Sequence, residues 1–153
     1  CVVPKRISRK SASGASPQKC HLKQVRRTSL KGENMTDKII IILNHDDEQS
    51  VIAALVMGAA SAATGSEPLI FVQPGGAKAL VKGALEKYQG LQGQPDPVEL
   101  FDAIQTLDGR IILCELGLPV WDIDKEDLYD DVEIMNASSF LFEAEDALMS
   151  FSY

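Results

Sequence analysis

Short apolar segments alternate with segments of helical pattern from residue 38 to the end of the chain. The first, Lys38–Leu43, is a continuous β-branched run, typical of a strand that is buried on both faces of a sheet. Further strands are predicted at residues 68–73, 109–114 and 148–153, and helices at residues 50–64, 77–88, 97–107, 124–128 and 136–147. Strands that alternate with helices indicate βαβ units, so the sequence predicts an α/β fold with a mainly parallel sheet.

The first 34 residues differ from the rest in charge and in pattern. They hold nine basic residues against the single acid Glu33, namely Lys5, Arg6, Arg9, Lys10, Lys19, Lys23, Arg26, Arg27 and Lys31. They show no hydrophobic periodicity, so we expect residues 1–35 to be a disordered basic extension and residues 36–153 to be the folded domain. Two origins stay open for this arm: a start upstream of a natural first residue at Met35, or a processed or targeting leader.

Length, charge and cysteine content restrict the class of protein. A chain of 153 residues holds one domain, and no apolar run approaches the roughly 20 residues that cross a bilayer. The whole chain has a net charge of −7, and all of its acidic residues except Glu33 lie after residue 34; such an acidic body disfavours nucleic-acid binding. Cys1, Cys20 and Cys114 do not form a disulfide framework, so a reducing, cytoplasmic location is expected.

Candidate functional residues follow the predicted strands. In parallel sheets, ligands bind outside the carboxyl ends of the strands. His45 and Asp46 follow the first strand, Gly75 and Gly76 follow the second, and Cys114 ends the third, with Trp121 a further candidate binding residue in the segment after it. A thiolate at Cys114 would be the reactive group, His45 a base or cation, and the glycine amides an anion cradle. The sequence therefore predicts one site at this edge of the sheet, and no metal site.

Each of these residues also has a simpler interpretation. Free cysteine is among the most buried residue types, so Cys114 fits a core position at the end of a strand. The adjacent Glu115 opposes formation of a thiolate. His45 fits a solvated loop, and Trp121 fits a packing residue or an interface anchor.

The body resembles the DsrE/DsrF-like proteins, and within them the peroxiredoxin-like DsrE branch. The resemblance covers residues 38–153 and rests on the order and spacing of several segments. They are the Ile-rich first strand with its polar loop, the Ala-rich segment 51–63, and residues 109–114, 123–128, 132–133 and 137–141. It implies a flavodoxin-like three-layer sandwich that assembles into trimers or hexamers. It also implies a persulfide-carrying cysteine, a role that maps onto Cys114 alone.

Two functions from different classes remain open at this point. The first is a DsrE-like sulfur-handling protein, a possible sulfurtransferase or relay carrier, that carries sulfane sulfur on Cys114 and needs no cofactor. The alternative is a non-enzymatic, oligomeric binding or scaffold protein with a structural Cys114. A third interpretation is a small-molecule binder of the flavodoxin type, but the sequence lacks a hydroxyl-rich phosphate loop after the first strand.

The expected partners are other copies of the chain, as a homotrimer or homohexamer, and a sulfur donor or acceptor protein. Neither nucleic acid nor membrane is expected. Apolar residues between Cys114 and Trp121 suggest that this segment lies near a subunit boundary.

Overall fold

The structure is a computed structural model, and it describes residues 36–153. The expectation of a disordered basic arm, together with Cys1 and Cys20, lies outside the described residues. Within residues 36–153, no helix is both long and apolar enough to span a bilayer.

Five strands form one parallel sheet in the order β4-β3-β2-β1-β5. The strands are β1 (Lys38–Leu43), β2 (Glu67–Val72), β3 (Arg110–Cys114), β4 (Glu133–Met135) and β5 (Met149–Ser152). The α-helices are α1 (Glu48–Ala63), α2 (Pro97–Thr106), α3 (Gly117–Trp121) and α4 (Ala137–Glu143). Three 3₁₀-helices cover Pro74–Leu80, Leu85–Tyr88 and Lys125–Asp127. Helices flank the parallel sheet, so the predicted α/β fold class is confirmed.

Local sequence signals explain the two long helices. The Asp47 side chain caps α1 by accepting from the amide of Ser50, and Asp96 caps α2 by accepting from the amide of Val98. Pro97 takes the first position of α2, where proline loses no hydrogen bond. Gly58 lets α1 approach the sheet closely, since a Cβ there would lie 2.7 Å from a methyl group of Ile70.

The helix predicted over residues 77–88 is wrong. Two short 3₁₀-helices lie there, and Val81 between them is extended and pairs with Leu128. The hydroxyl of Tyr129 accepts from the amides of Gly83 and Leu85, which a continuous helix would have bonded internally. Contacts with a distant segment therefore replace the helical hydrogen bonds, and Gly83 takes a positive φ of 85° in the break.

Smaller departures occur after residue 114. The segment 124–128 holds a 3₁₀-helix over Lys125–Asp127 rather than an α-helix, and α4 ends at Glu143, four residues before the predicted end. The sequence pattern missed β4 and α3, since three strand residues and five helical residues are too few to show a period.

The two faces of the sheet are covered unequally. On one face, which we call the α1/α2 face, α1, α2 and the first two 3₁₀-helices bury Ile41, Ile70, Ile104, Ile111 and Leu113. On the other, which we call the α4 face, Phe140 packs into a smaller cluster. The buried members of that cluster are Ile40, Leu69, Phe71, Ile112, Cys114 and Phe140.

Helix α4 is held to the sheet by one aromatic contact and by polar contacts of Glu143. Phe140 stacks on Phe71 with ring centroids 4.1 Å apart. Arg110 bonds the Glu133 carboxylate through two nitrogens, at 2.7 and 2.5 Å, and also pairs with Glu143. The hydrogen bonds to Glu133 and then Glu143 raise the pKa of Arg110, and the bond from Arg110 lowers the pKa of Glu133. The Lys38 ammonium donates to the carbonyl of Glu143 at 2.9 Å.

Candidate functional site

Cys114 lies at the carboxyl end of β3, as predicted, with its side chain on the α4 face. It is 5% exposed and belongs to the apolar cluster with Phe71, Ile112 and Phe140. Partly buried Met135 packs against the same cluster, and it pairs with Cys114 in the register of β3 and β4. The thiol is therefore free but covered.

The Gly75–Gly76 turn packs against the end of β1. A Cβ at Gly75 would lie 2.2 Å from the carbonyl oxygen of Asn44, and one at Gly76 would lie 3.1 Å from that of Leu43. The amide of Gly76 already donates to the carbonyl of Gln73 at 2.9 Å. Close backbone packing accounts for both glycines without a bound anion.

Trp121 is anchored to the same turn from the end of α3. Its indole nitrogen donates to the carbonyl of Pro74 at 2.6 Å, and the Lys78 ammonium lies 3.5 Å from the ring centroid. The Trp121 residue as a whole remains 41% exposed. Leu116, just before α3, and Val120, within it, are also exposed. The apolar segment between Cys114 and Trp121 therefore presents side chains to solvent.

His45 and Asp46 occupy the loop between β1 and α1. His45 is exposed and makes no side-chain hydrogen bond to any of residues 36–153. The backbone carbonyl of Asp46 accepts from the hydroxyl of Tyr88 at 2.7 Å. Burial, followed by the nearby charge of Asp46, raises the pKa of Tyr88.

The carboxyl edge of the sheet gathers the three predicted segments, but on two sides. Gly117 at the start of α3 lies against Ala77 and Leu113, and both belong to the core of the α1/α2 face. Cys114 belongs to the cluster on the α4 face. Because neighbouring strand residues point to opposite faces, the thiol lies across the sheet from the packing side of α3 and its glycine turn.

Sequence reasoning missed two features near these residues. One is Lys78, whose contact with Trp121 joins residues 43 positions apart. The other is the outer side of α4, where Leu141 and Phe142 are 68% and 81% exposed. A signal for the second was present, since the three consecutive apolar residues 140–142 cannot share one side of a helix.

Comparison with known proteins identifies the fold. No protein-family model matches the chain, and no curated protein matches its sequence. The crystal structure of the YchN protein from E. coli superposes with a TM-score of 0.64 at 16% identity, covering 77% of this chain and 100% of that one. A protein of unknown function from Methanobacterium thermoautotrophicum, MTH1491, superposes with a TM-score of 0.59 at 12% identity, covering 75% of this chain and 98% of that one. At these identities the likeness concerns the fold alone, and the fold of this chain is DsrE/YchN-like.

Proposed function

We propose that the chain is an oligomer-forming binding or scaffold protein in which Cys114 is a structural residue. The observation that carries this proposal is the burial of Cys114, which is 5% exposed, in the apolar cluster that also contains Phe71 and Phe140. A sulfur carrier needs a thiol that a donor can reach, and the two sequence interpretations differ on this point. The proposal keeps the expected cytoplasmic location, where a free thiol persists.

The surface formed by Leu116, Val120 and Trp121, here called the α3 surface, supports assembly. Contiguous exposed apolar side chains commonly mark interfaces. The bond from Trp121 to Pro74 and the cation above the ring fix the indole in place, so little side-chain freedom is lost on binding. We therefore propose that copies of the chain meet at the α3 surface in a closed homotrimer or homohexamer.

Light scattering at micromolar concentration tests the assembly. We expect a mass of three or six chains, and we expect Val120→Asp to shift that mass toward one chain because it introduces a charge into the interface. Val56→Asp is the matched control, because Val56 is an exposed valine on a different helix, α1. A wild-type chain that is monomeric at these concentrations rules out the assembly.

A second candidate, sulfur carriage, is supported by the position of Cys114 at the carboxyl end of β3 in a DsrE/YchN-like fold. The Cys114 thiolate would attack the outer sulfur of a donor persulfide, forming a new S–S bond and releasing the donor thiolate. An acceptor nucleophile would then attack that outer sulfur and return the Cys114 thiolate. The exchange has no net redox change and needs no cofactor.

Alkylation of the native chain separates the two candidates. In a chain with Cys1→Ser and Cys20→Ser, we expect Cys114 to react slowly in the native protein and rapidly once it is unfolded. Fast native alkylation overturns the structural role. Sulfur carriage is established if a persulfide donor also adds the mass of one sulfur atom and Cys114→Ser abolishes the addition.

A further inference from the structure

Helix α4 is a weakly attached part of the fold. It has seven residues, and Phe140 is its one buried side chain, whereas the 16-residue α1 buries seven residues. Helices this short are marginal in isolation and depend on tertiary contacts. The strands at its two ends, β4 and β5, are three and four residues long and lie at opposite edges of the sheet.

The contacts that hold α4 lie on one side of it. Phe140 and Glu143 are three residues apart, so they share the side that faces the sheet. Phe140 stacks on Phe71, the Glu143 carboxylate pairs with Arg110, and its carbonyl accepts from Lys38. At its start, the Asn136 side chain caps α4 by accepting from Ser139, a bond inside the helix that does not tie it to the sheet.

We infer that α4 is a cover that opens as a unit while the rest of the sheet stays folded. The contacts of Phe140 and Glu143 with the sheet hold it closed. Regions with few buried contacts open locally at less cost than global unfolding. Opening removes Phe140 from its stack on Phe71 and thereby exposes the cluster that also holds Ile112 and the Cys114 thiol. This goes beyond the structural role proposed for Cys114, because it gives the buried thiol and its apolar surroundings a route to an incoming partner.

The rate of alkylation of Cys114 in the full-length native chain measures this opening, again with Cys1→Ser and Cys20→Ser. We expect Phe140→Ala to raise the rate at least about tenfold, since it removes the one side chain that α4 buries. Glu143→Gln should raise it about two- to fivefold, since the lost ion pair is partly exposed. Phe142→Ala and Glu145→Gln are the matched controls, with exposed side chains, and should leave the rate unchanged.

Urea distinguishes local opening from global unfolding. For a local opening, the alkylation rate rises less steeply with urea than the unfolded fraction measured by circular dichroism does. The reason is that local opening exposes less protein surface than global unfolding. The inference is overturned if alkylation follows the global unfolding curve in every variant, or if Phe142→Ala accelerates it as much as Phe140→Ala. If Phe140→Ala does not fold, Glu143→Gln against Glu145→Gln decides the outcome.

Discussion

The two faces of the sheet are built from the same strands but are covered in different ways. On the α1/α2 face, two capped helices of 16 and 10 residues bury a continuous apolar core. On the α4 face, a seven-residue helix contributes Phe140, and Glu143 adds an ion pair with Arg110 and a hydrogen bond from Lys38. Parallel sheets are normally covered on both faces, so the thinner side is where this fold is least protected.

Most of the buried core therefore lies on the α1/α2 face, whereas the Cys114 thiol lies in the smaller cluster on the α4 face. Ile111 and Leu113 belong to the large core of the α1/α2 face, while Cys114, next in the chain, belongs to the smaller cluster in which Phe140 of α4 is the one buried helical member. The outer side of that helix carries Leu141 and Phe142, both strongly exposed. We conclude that the α1/α2 face fixes the fold, and that changes in exposure occur on the α4 face.

The largest expected effect is the loss of packing on the α1/α2 face. Ile104 is fully buried, and Ile104→Ala should lower the free energy of unfolding by about 2–5 kcal/mol. Phe140→Ala should cost less in global stability although it removes a larger side chain, because α4 detaches locally. Urea denaturation followed by circular dichroism measures both losses. Val56→Ala is the control and should lower the free energy of unfolding by less than about 0.5 kcal/mol. A larger loss for Phe140→Ala than for Ile104→Ala contradicts the comparison.

A smaller effect is expected at the glycine turn that supports α3. Gly75→Ala places a Cβ against the backbone carbonyl of Asn44, so the turn must move, at a cost of about 1–3 kcal/mol in unfolding free energy. Gly76→Ala is the matched comparison, since its nearest contacts of 3.0–3.2 Å require much less movement. The same urea titration reads both variants. Equal losses for the two would show that close packing is not what requires glycine at position 75.

The sequence predicts the parts of this fold that depend on local pattern. Both β1 and α1 were predicted because Lys38–Leu43 is a continuous apolar run and residues 51–63 form an Ala-rich helical segment, although α1 begins at Glu48, two residues before the predicted start. The break near Gly83 was not, because it depends on Tyr129, a residue 46 positions away. Hydrophobic periodicity carries no information on such distant contacts.

The candidate site, too, is predicted by the sequence in part only. Chain order predicts which segments reach the carboxyl edge of the sheet, and Cys114, Gly75 and Trp121 lie there. It does not predict which face each side chain takes, because that depends on the register of the strands and shifts with a single residue. The cover over Cys114 depends on where a short helix docks, and α4 is too short for its packing side to be read from the sequence alone.

The Arg110 network on the α4 face gives a pH-dependent effect. The hydrogen bond from Arg110 lowers the pKa of Glu133 in the folded chain. Glu133 therefore contributes stability that is fully present above the pKa it has in the unfolded chain, and that is lost as the pH falls through the lowered pKa of the folded chain. Glu133→Gln should therefore lower the free energy of unfolding by under about 1 kcal/mol near neutral pH, since both partners are partly exposed.

Urea midpoints of the wild type and the variant, compared across pH, measure this contribution. The gap between them should close under acidic conditions below the folded pKa, where the wild-type carboxylate is protonated as well. Glu145→Gln, at an exposed position, is the control and should show no such gap. A gap for Glu133→Gln that persists unchanged into acid would mean that the lost stability has another source.

The smallest expected effect separates the basic arm from the folded body. A chain that starts at Met35 should melt within about 2 °C of the full-length chain, since residues 1–34 hold too little apolar surface to offset the entropy of ordering them. Removing Met149–Ser152 is the contrasting truncation, because it takes away β5, which pairs with β1. Calorimetry should show a clear fall in melting temperature for this deletion and almost none for the first. A large fall on removing the arm would mean that the core of residues 36–153 is not sufficient for stability.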